Sequence, residues 1–291
     1  MKQDAFSGLH PAVNFIYFAV VMVFGMVIQH PVFLAAGLLG AICYYLLLRG
    51  IRGLKFLLAL VPLLLGVAAV NPLFNREGET VLFYIFGSPY TFESLVYGMV
   101  LSAVLLNMVL WFQCFGAVMT GDKFTSLFGN LIPALSLLLV MILRMVPGLI
   151  RKGQQITQAR KSLGKGFSGN TKDNIREAGA ILGCLTTWAL EGGIVTADSM
   201  RSRGYGTAKR TGFMIYRMHA RDCCLLGLTL ILTAAVSVVM STGGTTAAFT
   251  PRWHIAPVHP SGLIAYGALT LIPTLFHLQE ALSWHISRSG I

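Results

Sequence analysis

The sequence predicts an all-α polytopic membrane protein: about six transmembrane helices and, between the fourth and fifth, a cytoplasmic domain of long amphipathic helices. Three observations predict it. Of 291 residues, 55% are hydrophobic and 11% charged, a balance that ordinary soluble domains do not show. The apolar residues gather into runs at 15–28, 32–48, 54–70, 95–119, 225–240 and 263–278. Most of these are long enough, at 1.5 Å rise per residue, to cross a hydrocarbon layer about 30 Å thick. The charge is concentrated as well: residues 121–221 hold fifteen Lys/Arg against five Asp/Glu, a net of +10 out of +11 for the whole chain.

The orientation of each run follows from the positive-inside rule. The short loop after the second run carries Arg49, Arg52 and Lys55, so it belongs in the cytoplasm, and the N-terminus with it. The link at His30-Pro31 is then external, as is the loop 71–90, whose one basic residue is Arg76. The fourth run returns the chain to the cytoplasm at Asp122-Lys123. The fifth leads to an external loop, 241–260, with Arg252, and the sixth brings the C-terminus back inside. No cleavable signal sequence is expected; the first span serves as the insertion signal. The predicted organisation is a membrane domain over 1–120, a cytoplasmic and interfacial domain over 121–221, and a C-terminal membrane segment over 222–291.

One apolar stretch, 131–150, competes for the status of a span. If it crossed, the basic residues from Arg151 to Arg221 would lie outside, against the charge rule. It is also interrupted by Pro133, Arg144 and Pro147, and a central arginine costs about 2.5–3.5 kcal/mol on insertion scales. It therefore reads as a helix lying in or under the membrane, with a re-entrant or deeply tilted helix as the variant.

Further on, Ile175, Ala178, Leu182, Leu185 and Trp188 recur at helical spacing, with Asp173 or Asn174 as the expected N-cap. A glycine-rich turn, 164–170, separates this helix from the one before it. Two short arginine motifs fall near the helix ends: Ala159-Arg160-Lys161, and Ser202-Arg203-Gly204 within Arg201-Ser202-Arg203-Gly204-Tyr205-Gly206. A helix C-terminus is partly negative, so an arginine there is favoured, and its fork can also bind a partner's carboxylate through two parallel hydrogen bonds. Small neighbours such as Ala159, Ser202 and Gly204 let such an end enter a narrow groove. Spacing alone leaves open that these arginines contact lipid headgroups or cap their own helices.

Several function classes are excluded. The basic charge lies between spans rather than over a soluble face, which argues against nucleic-acid binding. The five cysteines form neither CxxC nor a Cys/His ligand spacing, so neither a disulfide framework nor a metal site is expected. There is no GxxxxGK[ST], so the chain has no P-loop of its own. Intramembrane carboxylates are nearly absent, since Glu93 and Glu280 sit at span edges, which disfavours a proton-coupled transporter. A self-contained channel or secondary transporter is the rival reading; it would need a polar site at mid-membrane depth. An intramembrane enzyme would need a paired His/Glu or Ser/His arrangement.

Most of the chain resembles the transmembrane T component of energy-coupling factor importers, which take up vitamins and metal ions in bacteria and archaea. The resemblance rests on Leu9-His10-Pro11, on Asn71-Pro72-Leu73-Phe74, on Arg144-Met145-Val146-Pro147 and on the two arginine motifs, of which Arg203-Gly204-Tyr205-Gly206 is the most specific. Lys161 and Ser202 depart from the family's usual motif residues, while both arginines are kept.

The resemblance implies a non-catalytic scaffold in the prokaryotic plasma membrane, with both termini cytoplasmic. It implies that Ala159, Arg160, Lys161, Ser202, Arg203 and Gly204 dock into two ABC-type ATPase subunits, a homo- or heterodimer. ATP and Mg would sit on those subunits, and this chain would bind no cofactor. It further implies a separate substrate-binding membrane subunit, the S component; the apolar faces bearing Leu135, Leu138, Met141, Leu182, Leu185 and Trp188 are expected to contact it. Beyond these subunits the expected partner is the lipid bilayer.

Overall fold

Two of the first helices begin at the same device, a His-Pro step. Proline at the first helical position costs no hydrogen bond and has φ already set for the helix. The preceding histidine caps the turn: His10 Nδ1 accepts from the Ala12 amide at 3.2 Å, and His30 Nδ1 from the Val32 amide at 3.3 Å. In the computed structural model of the protein, which describes residues 6–75, 78, 80–85, 88–128, 133–166, 169–207, 218–249 and 254–289, these steps open α1 (Pro11–Val27) and α2 (Pro31–Arg49). They are followed by α3 (Ile51–Phe74), an antiparallel hairpin of β1 (Val81–Ile85) and β2 (Ser88–Thr91), and α4 (Phe92–Val118). Next come α5 (Gly121–Phe128), α6 (Pro133–Ser162) and α7 (Thr171–Ser202). The chain closes with α8 (Ala220–Ser241), the two-residue strands β3 (Ala247–Ala248) and β4 (His254–Ile255), and α9 (Pro260–Ser289). The described residues are 82% helical and include nine α-helices.

Among the described residues six helices are long and apolar enough to cross a membrane by length and composition: Pro31–Arg49, Gly53–Phe74, Phe92–Val118, Thr171–Ser202, Ala220–Ser241 and Pro260–Gln279. The sequence reading differs at one of its spans and at one helix it assigned to the cytoplasmic domain. The span, Pro11–Val27, is a shorter apolar helix of 17 residues, about 26 Å long and at the low end of the spanning range. Thr171–Ser202 passes on length and mean hydropathy, although its sequence flanks carry the cytoplasmic charge pattern.

The chain divides into two compact units, residues 1–120 with 217–291, and residues 121–216. The first is built of α1–α4, α8 and α9. Its core is aromatic: Trp111, Tyr17, Tyr44, Tyr266, Phe18 and Phe33 are all fully buried. Phe18 and Trp111 meet edge to face at 6.1 Å, a geometry favoured by the ring quadrupoles. The Tyr17 hydroxyl donates to the Leu269 carbonyl at 2.9 Å, joining α1 to α9. Helices approach closely where glycine allows it. A Cβ on Gly37 or Gly40 of α2 would lie 2.7 Å from α9, against the Tyr266 hydroxyl or Thr270 Cβ. A Cβ on Gly98 of α4 would lie 2.6 Å from the Ala68 carbonyl oxygen of α3. Small residues at crossings are the usual basis of helix packing in lipid.

Asp222 ties the start of this unit to its later half. Its carboxylate accepts from the His219 amide at 2.9 Å, part of a capping box on α8, and from the His10 amide at 3.2 Å. One buried carboxylate thus satisfies the N-terminal donors of two helices, α1 and α8.

The second unit contains α5, α6 and α7. The stretch 131–150 is no separate element; from Pro133 it is the apolar half of the 30-residue helix α6, which continues into the basic half without a break. Residues 131 and 132 lie outside the described set. The N-cap of α7 is Asn170 rather than Asp173 or Asn174. Gly169, at φ +83°, turns the chain so that Asn170 is already extended and the helix starts at Thr171.

Candidate functional site

Helices α6 and α7 form an antiparallel hairpin whose inner contacts run in sequence order from its turn. Arg160 reaches Glu177. A Cβ on Gly153 would lie 3.5 Å from the Leu185 side chain, and one on Gly148 would lie 3.8 Å from the Trp188 ring. The Lys152 ammonium stands 5.9 Å from the centre of that ring, within cation–π reach. Beyond Gly148 a groove of about 960 Å³ opens between the two helices.

Both arginine motifs are at helix ends, and both ends close in the same way. At the end of α6 the Lys165 amide donates to the Arg160 carbonyl at 3.0 Å and the Gly164 amide to the Lys161 carbonyl at 3.1 Å, with Gly164 at φ +72°. At the end of α7 the Tyr205 amide donates to the Met200 carbonyl and the Gly204 amide to the Arg201 carbonyl, both at 3.0 Å, with Gly204 at φ +73°. Each is a Schellman closure, which needs a left-handed residue just past the cap and so favours glycine.

The registers differ. Arg203 is itself the C-cap of α7, whereas Arg160 lies three residues before the cap of its helix. Ser202, the last residue of α7, turns its hydroxyl back onto the Ser199 carbonyl at 3.0 Å.

The surroundings of the two arginines also differ. Arg160 is clasped by Glu177 at the start of α7: its Nε donates to Glu177 Oε1 and its Nη2 to Oε2 at 2.8 Å. These hydrogen bonds hold the Glu177 carboxyl below the ordinary glutamate range, against the opposing effect of desolvation, and the charges of Arg160 and Lys165 add to them. They raise Arg160 in turn. A guanidinium has five N–H donors in a planar fork. Glu177 takes the Nε/Nη2 edge and leaves the Nη1/Nη2 edge for another acceptor. Arg203 has no side-chain hydrogen bond or ion pair among the described residues and is exposed. Ala159 and Lys161 are exposed beside Arg160.

The apolar residues expected to meet a membrane partner fall into two groups. Leu138 and Leu182 are exposed and Met141 is half-buried. Leu185 and Trp188 face α6 and help close the hairpin. Leu135 is in the first turn of α6, its side chain outside the described set.

Glu177 is the residue that sequence reasoning missed. It had one signal: from Lys123 to Leu190 the only acidic residues are Asp173 and Glu177, among nine basic ones. A carboxylate so outnumbered attracts a guanidinium.

The distance between the motifs is fixed by one helix. Arg160 is anchored at Glu177 and Arg203 caps the same uninterrupted α7, so the 26 positions between Glu177 and Arg203 set the two arginine sites about 39 Å apart at 1.5 Å per residue. The two motif arginines therefore stand at opposite ends of α7.

A family model described as cobalt transport protein, CbiQ, matches residues 6–213, a stretch that includes both arginine motifs and the whole hairpin. The chain belongs to the CbiQ family. That family is the family of the T components of energy-coupling factor transporters, and membership makes this multi-pass protein a membrane component of micronutrient transport. No curated protein matches the chain. The match spans helices α1–α4 and the α6–α7 hairpin, and ends before α8.

Proposed function

We propose that this chain is the scaffold and energy-coupling subunit of an energy-coupling factor importer for a vitamin or metal ion. It docks two ABC-type ATPase subunits through Arg160 and Arg203, and it passes their ATP-driven motion to a separate substrate-binding membrane subunit. The observation that carries this reading is the pair of arginine-bearing helix ends at opposite ends of one rigid hairpin, about 39 Å apart. That spacing suits two separate subunits better than two contacts on one small domain, and a continuous helix couples a displacement at one end to the other. Hydrolysis, with its ATP and Mg, belongs to the partners. The exposed apolar side chains at Leu138 and Leu182, with Met141, are the surface for the substrate-binding subunit. The protein resides in a prokaryotic plasma membrane with both termini cytoplasmic.

The test is affinity purification of the tagged protein from its native membrane in mild detergent. The wild-type chain brings down ABC-type ATPases. Arg203→Glu and Arg160→Glu each insert normally but lose most of the ATPase, because a carboxylate facing a carboxylate is repelled. Full recovery of the complex and of transport with both variants would sink the proposal.

A further inference from the structure

The groove between α6 and α7 has a chemistry that ATPase docking uses only at Arg203. Its floor is apolar, formed by Met141, Met145 and Trp188 among others. Three guanidinium groups line it, those of Arg144, Arg201 and Arg203, and no carboxylate does among the described residues. None of the three has an ion-pair partner among those residues. At about 960 Å³ it matches the upper range of small-molecule sites.

The charge decides what fits. An apolar helix laid into this groove would bury arginines without a counter-charge, which is costly. A soluble anion such as phosphate would satisfy the arginines but leave the apolar floor in water. An occupant that is anionic at one point and apolar elsewhere satisfies both. The bilayer supplies such molecules, and basic pockets between helices on the cytoplasmic side are where anionic headgroups bind. Arginine is also the side chain best matched to a phosphodiester, through two parallel hydrogen bonds.

We propose that the α6–α7 groove is a binding site for an anionic phospholipid, its phosphate held by Arg144 and Arg201 and its acyl chain lying on Met145 and Trp188. Gly192 and Gly193 give the groove its width: both line it, and a Cβ at either meets no atom within 4 Å. The proposal does not depend on the coupling reading, since the lipid binds to this chain alone. It also leaves Arg203 for a protein partner.

The experiment uses the full-length protein in nanodiscs of phosphatidylcholine and phosphatidylglycerol, released into detergent and weighed by native mass spectrometry. The wild type retains phosphatidylglycerol in preference to phosphatidylcholine. Arg144→Gln with Arg201→Gln lowers that retention at least tenfold. Gly193→Leu fills the groove with all arginines in place; leucine is a better helix former than glycine, so α7 is kept while the lipid is lost. Equal retention of phosphatidylglycerol by the wild type and both variants overturns the site. So does absence of preference between the two lipids, and so does competition by inorganic phosphate alone with no lipid adduct. Cross-linking of the groove to a partner's helix in the intact membrane, with no lipid bound, overturns it as well.

Discussion

If the hairpin acts as a spacer between two docking points, the phase of α7 matters more than its length. An α-helix turns 100° and rises 1.5 Å per residue. Two alanines inserted between Gly193 and Ile194 would rotate Arg203 by about 200° relative to the Arg160–Glu177 clasp and move it only about 3 Å. Four alanines would move it about 6 Å but return it to within about 40° of its original direction. The insertion point lies beyond Leu185 and Trp188, so the contacts that close the hairpin at Gly148 and Gly153 are retained. The smaller insertion should therefore be the more damaging. Two linked contacts exceed either alone by roughly 10² to 10⁴ when both can engage, and that gain vanishes when geometry forbids it. The assay is co-purification of the ATPases, with membrane insertion of each variant as the control. The two-residue insertion should fall to the recovery seen with Arg203→Glu, and the four-residue insertion should keep a substantial part. Equal recovery with the two insertions, at whatever level, would refute the reasoning.

Glu177→Gln removes the charge that clasps Arg160 while keeping the side chain's shape. Faster hydrogen exchange at the end of α6 is expected, with a smaller loss of ATPase than Arg160→Glu causes. Because the Glu177 carboxyl is lowered on folding, the clasp stabilises at every pH above the ordinary glutamate value and is lost only as pH falls through the lowered one. Exchange protection at the hairpin turn, corrected for intrinsic rate, should therefore stay level from pH 8 down to pH 5. In the membrane unit, Gly98→Ala puts a methyl 2.6 Å from the Ala68 carbonyl oxygen, an overpacking of about 1–3 kcal/mol. Gly116→Ala in the same helix meets no atom within 4 Å and should be neutral or stabilising by up to about 1 kcal/mol. Thermal unfolding in detergent separates the two, and an equal effect from both would remove the close α3–α4 crossing as the cause.

The spans were legible because a membrane imposes long apolar runs, and five of the six read from the sequence coincide with long apolar helices. The first was read to begin at Phe15, while α1 begins at Pro11. Asn14 interrupts the apolar run, and only the fold shows that it is fully buried. The loop 71–90 hid a hairpin, because Val81-Leu82-Phe83-Tyr84-Ile85 is apolar throughout and shows no alternation from which to read a strand. The Arg160–Glu177 clasp was not legible at all. It joins two helices across a turn, and helical periodicity reports only which residues share a face of one helix.

The inequality of the two motifs is a different case, since the sequence contained it. Read as three-residue words, Ala159-Arg160-Lys161 and Ser202-Arg203-Gly204 look like copies. Each helix, however, ends where a glycine can take the left-handed conformation, and Gly164 stands four residues past Arg160 while Gly204 stands one past Arg203. Those offsets put Arg160 in the wall of the last turn, beside the start of the next helix, where a carboxylate can grip it. They put Arg203 at the tip, where no carboxylate among the described residues grips it. A guanidinium already held in one plane loses little freedom on meeting a partner; one on a free side chain gives up rotamer entropy of up to about 2 kcal/mol. The two ends of the hairpin therefore differ in kind, one pre-set and one adaptable. The difference follows from where two glycines fall, not from the arginines.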